Sequence, residues 1–146
     1  MNVLETLNEL TEVRESTIHG LGLFAKKDIS KGKIWWKGAI GLNILLLNEL
    51  QYKTYKASEK NTITDTLWEL FTKYAYYSKE LDSLVLCLDN ARYVNHAAEP
   101  NSGATIDFDP LISIALKDIM EGEEILENYN NYEDCSWLDI LKFDNK

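Results

Sequence analysis

At 146 residues, 45% apolar, 11% aromatic and 27% charged, the chain reads as one globular domain (1–146) and not as a disordered tail. Its apolar runs are too short to span a membrane, its acidic start is no secretory leader, and two cysteines build no disulfide framework, which predicts an intracellular, cytoplasmic protein. The net charge of −9 sits wholly in residues 73–146, which hold 6 Lys/Arg against 15 Asp/Glu; that half repels nucleic acid and draws basic partners, or simply solubilises the fold.

In chain order, the first landmark is "IHGLGLFAKKDISKGK", Ile18 to Lys33. Gly20 and Gly22 allow backbone conformations or close approaches that a side chain would block. "GLFA" reads as a short strand and "KDISKGK" as a turn into the strand "IWWKG", which "AIGLNIL" follows. From about residue 46 to 73 the pattern turns helical. Asn48 and Thr64 are candidate N-caps, and Leu67, Leu70 and Phe71 share one face. "KYAYYS" suits a strand as well as a helix end, so that boundary stays open. "SLVLCL" reads as a short buried strand. "GATIDFD" and "LISIALK" read as a hairpin around Pro110. "DIMEGEEI" repeats the earlier charged turn with its glycine, although no internal repeat emerges. "CSWLDILKF" reads as a short terminal helix capped by Ser136. The fold class is β-rich α+β, with one helical insert.

The generic reactive constellations are missing. His19, His96, Cys87 and Cys135 stand at no zinc-ligand spacing, so no metal site is expected. There is no GxSxG and no phosphate loop, and "HGLGLF" lacks the third glycine of a dinucleotide fingerprint. Aromatics are plentiful, but no basic patch interleaves with them, so no direct binding of nucleic acid is expected. Three segments of unusual composition remain: the Gly-x-Gly turn, "ARYVNHAAEPNS" and "GEEILENY".

Together and in this order they resemble the SET domain of protein-lysine methyltransferases. "STIHGLGLFAKKDISKGK" is similar to that family's opening strand-turn-strand. "ARYVNHAAEPNS" is similar to its arginine-aromatic-x-asparagine-histidine segment, which usually continues Ser-Cys-x-Pro-Asn. "ALKDIMEGEEILENY" is similar to its closing run, a Gly-Glu-Glu turn ending in Asp-Tyr. The resemblance spans about Val13 to Tyr129, a core of about 13–130, and leaves a flank of 131–146.

The resemblance implies a SET fold (β-clip): small curved sheets, a helical insert and a C-terminal pseudoknot. In that knot the end of the chain passes under the loop around the Asn-His motif. It implies transfer of a methyl group from S-adenosyl-L-methionine to a protein lysine, leaving S-adenosyl-L-homocysteine, by in-line displacement without a metal. The implied cofactor residues are His19, Gly20, Leu21 and Gly22 in the turn, and Arg92, Tyr93, Asn95 and His96 in the second segment. Taken alone, His96 reads as a buried histidine bonded to backbone. Tyr129 is the implied catalytic hydroxyl, or else an aromatic capping the core. Tyr76 and Tyr77 are the implied walls of a lysine channel, or ordinary strand packing. A lysine of reference pKa about 10.4 must lose its proton, which apolar aromatic walls favour.

Three departures stand out. Ala97-Ala98 replaces Ser-Cys, and Asn128 replaces the Asp. The tail's single Cys135 builds no zinc-binding cap, so Trp137, with Tyr132, would cover cofactor and channel; otherwise Trp137 packs into the core. The compact layout is like bacterial or viral members of the family. The implied partner is a Lys-rich protein or peptide, with no membrane; oligomeric state stays open. Two alternatives are a catalytically inactive SET-fold module that binds a basic, Lys-rich peptide, and an acidic adaptor that shares only the fold.

Overall fold

The computed structural model describes residues 3–57, 65–105, 107, 109–129, 135 and 137, without the side chains of 3–6 and 65. The order is α1 (Val3–Leu10), β1 (Thr11–Glu15), β2 (Leu21–Ala25), β3 (Ile34–Lys37), β4 (Ile44–Asn48), α2 (Glu49–Ala57), α3 (Asp65–Tyr74), β5 (Tyr76–Ser78) and β6 (Ser83–Cys87). A 3-10 turn (Asn90–Tyr93), β7 (Asn95–His96), β8 (Ser102–Gly103), β9 (Ile112–Ala115) and β10 (Leu126–Glu127) complete it. They make four small sheets: β1-β2, β3-β9-β8, β4-β6-β5, and the parallel pair β7-β10. No helix among the described residues is long and apolar enough to cross a membrane.

β6 is the hinge of the packing. It lies between β4 and β5, and all five of its residues are buried. A strand buried on both faces reads as an unbroken apolar run, as "SLVLC" does. Side chains alternate across a strand. Val85 and Cys87 therefore enter a larger core with Leu23, Trp35, Ile119 and Ile125, while Leu84 and Leu86 enter a smaller one with Tyr52 and Phe71. β5 follows the same register, with Tyr76 opposite Val85 and Tyr77 opposite Leu84. The two tyrosines thus face different cores.

The insert begins where local chemistry says it should. Asn48 Oδ1 accepts from Gln51 N (2.8 Å), and Gln51 Oε1 accepts from Asn48 N (2.9 Å), a reciprocal capping box at the start of α2. α3 turns Leu67, Leu70 and Phe71 toward the smaller core. The "YAYY" stretch divides, Tyr74 closing α3 and Tyr76 opening β5. Thr64, Tyr132, Ser136 and the terminal helix expected there lie outside the described residues, Cys135 and Trp137 excepted.

Two readings of the sequence need correction. The N-terminal segment forms α1 and β1, neither of which was expected; Leu7 and Leu10 plug the larger core. The hairpin is displaced: its first strand is only Ser102–Gly103, opposite Ala115 and Ile114. Pro110 has no N–H to give a ladder, and Asp109 bends the return by accepting from Leu111 N (2.9 Å).

The two charged turns, "KDISKGK" and "KDIMEGE", are in addition two halves of one clasp. Ile29 and Ile119 exchange both backbone bonds (2.7 and 2.9 Å). Asp28 Oδ1 accepts from Glu121 N, and Asp118 Oδ1 accepts from Lys31 N, each at 2.8 Å.

Past the clasp, the chain runs back alongside β7. Leu126 lies opposite Asn95 and Glu127 opposite His96. Buried Asn101 fastens it: Nδ2 donates to Glu124 O (2.8 Å), Oδ1 accepts from Leu126 N (2.8 Å), and its own N donates to Leu126 O (3.2 Å). This is the knotted C-terminus, and it places Tyr129 beside the Asn-His segment.

Candidate functional site

The site begins with the turn before β2. Ser16 Oγ accepts from Ile18 N (3.0 Å) and His19 N (3.5 Å), while Ser16 N donates to Gly20 O (2.7 Å). Its two glycines serve different needs. Gly20 has φ +46°, which suits glycine, and open space where a Cβ would point. At Gly22 a Cβ would sit 2.8 Å from Glu124 Oε1.

Asn95 locks this turn from β7. Its Nδ2 donates to His19 O (3.1 Å), Leu21 O (3.1 Å) and Glu124 Oε2 (3.2 Å). Three acceptors share two protons, so the amide is saturated. Asn95 is buried, whereas the side chains of His19 and Leu21 are exposed.

Tyr129 is held at both ends. Its N–H donates to His96 Nδ1 (3.0 Å), and its hydroxyl donates to the Val94 carbonyl. The two rings lie 5.2 Å apart. His96 accepts through Nδ1, so the neutral ring carries its proton on Nε2. With its own proton given to Val94, the Tyr129 oxygen can act toward a further group only as an acceptor. Burial, then the charges of Glu127 and Glu124, push the Tyr129 pKa well above that of an ordinary phenol. It stays neutral at physiological pH and is no base.

Tyr76 has the same character. Burial raises its pKa first, and then Cys87, Glu127 and Asp89. Glu127 is common to both tyrosines. Its Oε1 accepts from Ser102 Oγ (3.3 Å) and Ser113 Oγ (3.2 Å), and Ser102 Oγ accepts from Trp35 Nε1 (2.8 Å).

A SET-domain family model matches residues 20–130, from the Gly-x-Gly turn to just past Tyr129. The chain belongs to the SET-domain family. Among curated proteins, none matches it in sequence. Solved structures share its fold. A Chaetomium thermophilum Polycomb Repressive Complex 2 bound to S-adenosylmethionine is 23% identical with TM-score 0.56, over 86% of this chain and 16% of that one. The Neurospora histone lysine methyltransferase DIM-5 is 15% identical with TM-score 0.54, over 90% of this chain and 57% of that one. A provisionally assigned histone methyltransferase of Plasmodium falciparum is 20% identical with TM-score 0.52, over 88% of this chain and 97% of that one.

Within this SET domain, Asn95 is bonded to His19 and Leu21 of the turn, and its chain neighbour His96 to Tyr129. Arg92 and Tyr93 lie in the 3-10 turn ahead of β7. The Arg92 guanidinium lies 4.6 Å from the Tyr93 ring and 5.9 Å from that of Tyr74, and donates to Leu88 O, Asp89 O and Tyr93 Oη. They staple the 3-10 turn to the end of α3. Tyr76 packs against the larger core. Tyr77 faces the insert, bonded to Asp82 Oδ1 (2.8 Å) and edge-on to Trp137 at 5.9 Å. Trp137 also packs on Tyr52 at 5.5 Å, against the smaller core.

Sequence reasoning missed Ser16, Glu124 and Glu127. The two acids sit in "GEEILENY", whose charges read as a solvated turn. Ala97 N donates to Glu127 O (3.0 Å), and Asn128 Nδ2 donates to Ala98 O (3.4 Å). An aspartate at 128 has no proton to give that carbonyl, so the two departures from the family pattern meet at one contact.

Proposed function

We propose that this SET domain is an S-adenosyl-L-methionine-dependent methyltransferase that acts on the lysine side chain of a protein. The observation that carries the reading is that two adjacent residues of β7 tie together distant parts of the chain, Asn95 bonding the turn carbonyls of His19 and Leu21 and His96 bonding Tyr129. The residues present fit such a cofactor. Space over Gly20 is open, His19 and Leu21 are exposed beside it, and Asn95 holds the turn's carbonyls in place. The cofactor, when bound, supplies a methyl group on a positively charged sulfur.

The chain's own residues do the rest. Tyr129, its hydroxyl proton held by Val94, offers an oxygen acceptor at a fixed point and orients the groups that meet there. Asn95 and His96 fix the strand and the tyrosine backbone to which that oxygen is attached. Tyr76 walls the point with a neutral, half-buried ring that excludes water. An incoming lysine there loses hydration, which favours the uncharged amine. The acidic second half draws a Lys-rich segment toward the site.

The test is titration with S-adenosyl-L-methionine, followed by methyl transfer from labelled cofactor into Lys-rich protein. Binding and label on lysine are expected. Tyr129→Phe should lower turnover by about 100-fold, on the scale of losing one oriented polar group, with cofactor affinity nearly unchanged. Absence of cofactor binding would sink the reading. Binding with no transfer to any Lys-rich protein would instead identify a peptide-binding module.

A further inference from the structure

Trp36 takes no part in the scheme above, yet β3 is deformed to place it. Side chains alternate along a strand, so two adjacent tryptophans should point to opposite faces. Trp35 and Trp36 are nevertheless both buried, at 1% and 3% exposure. The register against β9 shifts between Ile34 and Trp36, and this bulge turns the second indole inward. Gly38 clears its path, since a Cβ there would lie 2.9 Å from Trp36 Cη2. The indole Nε1 then donates to Asp89 Oδ2 (3.0 Å).

Buried Asn43 reaches the same oxygen from the loop before β4. Its Oδ1 accepts from Ala39 N (2.6 Å), and its Nδ2 donates to Lys37 O (3.1 Å) and to Asp89 Oδ2 (2.9 Å). The other carboxylate oxygen, Asp89 Oδ1, accepts from Ala91 N (3.0 Å) and caps the 3-10 turn. Three donors thus converge on one side chain. An asparagine has a single acceptor oxygen and would turn an N–H toward at least one of them.

The far end of the turn is Val94. Its N–H donates to Ala91 O (3.2 Å), and its carbonyl accepts the Tyr129 hydroxyl proton. The turn is four residues long, so a shift at its cap is carried to the carbonyl at its end. Asn95, the next residue, has separate holds on β10 and on the carbonyls of His19 and Leu21.

We propose that Asp89 is a positioning residue for methyl transfer: by pinning the start of the 3-10 turn to Trp36 and Asn43, it sets the Val94 carbonyl and, through it, the place of the Tyr129 oxygen. This rests on the methyl-transfer reading above. Asp89 acts through Val94 and Tyr129, and the separate holds on Asn95 leave cofactor affinity largely outside its reach.

The experiment is a double-mutant cycle in the full chain, with Asp89→Asn and Tyr129→Phe alone and combined. An ångström of misplacement costs about a hundredfold in rate, and a fraction of that shift is expected, so Asp89→Asn should lower kcat about tenfold. KM for cofactor and for a Lys-rich peptide should stay within about twofold. Tyr129→Phe has no hydroxyl to misplace, so adding Asp89→Asn should cost less than about twofold more. A purely structural role would lower the rate equally in both backgrounds. Thermal unfolding gives a second readout that needs no turnover. The partners of the Asp89 carboxylate are Trp36, Asn43 and Ala91, so any coupling to Tyr129 runs through the turn. The double variant should melt about 2–4 °C above the value that adding the two single shifts gives. If Asp89→Asn does not fold, Trp36→Phe takes its place in the cycle, because it keeps the packed ring and removes only the N–H. An unchanged kcat, equal losses in both backgrounds, or additive Tm shifts in an active protein overturn this inference alone. An inactive wild type overturns the methyl-transfer reading and this one with it.

Discussion

Replacing Asn95 by Asp changes one nitrogen to oxygen and asks how much the site depends on that amide. In the wild type, Nδ2 serves His19 O, Leu21 O and Glu124 Oε2. Losing two net hydrogen bonds costs about 2 kcal/mol. The new carboxylate would stand at the present 3.2 Å from Glu124, where two like charges repel by about 5 kcal/mol at an effective dielectric of 20. The pair avoids this by taking up a proton. Holding one carboxyl protonated at pH 7.5, roughly three units above the reference carboxylate value, costs about 4 kcal/mol. Together these give about 6 kcal/mol at pH 7.5, a fall in Tm of roughly 12–24 °C for a chain of this size.

Two further signs should accompany that fall. The gap from wild type should narrow toward pH 5, where the shared proton comes readily. Cofactor affinity at pH 7.5 should also drop, because the turn is no longer held. Thermal unfolding at the two pH values, with cofactor titration beside it, checks all three. Equal Tm values at pH 7.5 would refute the view that the Asn95 amide holds the site together.

The glycines of the turn should separate by mechanism. Gly22→Ala drives a Cβ to 2.8 Å from Glu124 Oε1; it should cost about 1–3 kcal/mol through overpacking and push Glu124 out of hydrogen-bond range of Asn95. Gly20→Ala meets nothing within 4 Å and should cost about 1 kcal/mol through its positive φ alone; equal costs and equal effects on cofactor binding would contradict this division. Tyr76 and Tyr129 predict an alkaline limit to stability. Both phenols have raised pKa values in the folded state, so above pH about 10 the unfolded chain sheds protons that the folded chain keeps. Their contribution is complete below pH 10 and is lost as pH rises beyond it. Urea unfolding from pH 8 to 11.5 should show the decline in wild type and a smaller one in the double variant Tyr76→Phe/Tyr129→Phe; matching slopes would count against it.

Local signals in the sequence carried far. The Asn48 cap, the buried "SLVLC" strand and the stripe of α3 all depend on neighbours within a few residues, and each stands where its pattern puts it. Non-local facts were out of reach. Whether Tyr76 or Tyr77 faces the larger core depends on the register of β5 against β6, and a one-residue slip would exchange them. The partners of Asn95 lie 29 to 76 residues away. α1 is a different case. "VLETLNEL" has helical spacing in plain view, and its acidity drew attention away from that. Glu127 was hidden by its neighbours: two glutamates before it suggest solvent, and only the hairpin's true register brings Ser102 and Ser113 to it.

The clasp has a consequence for how the protein is made. Its side-chain bonds join residues 87 and 93 positions apart, so the first half emerges from a ribosome long before the second exists. At about 5–20 residues per second, "KDISKGK" waits roughly 4–19 s for "KDIMEGE". Throughout that interval Ile29 has no Ile119 to cover it, and the thread that later carries Tyr129 has not been synthesised. A nascent chain halted before residue 117 therefore holds most of its apolar surface but not the fastening that buries it. Such arrested chains should depend on chaperones, and release should be followed by a slow, concerted closure in which clasp, knot and site form together.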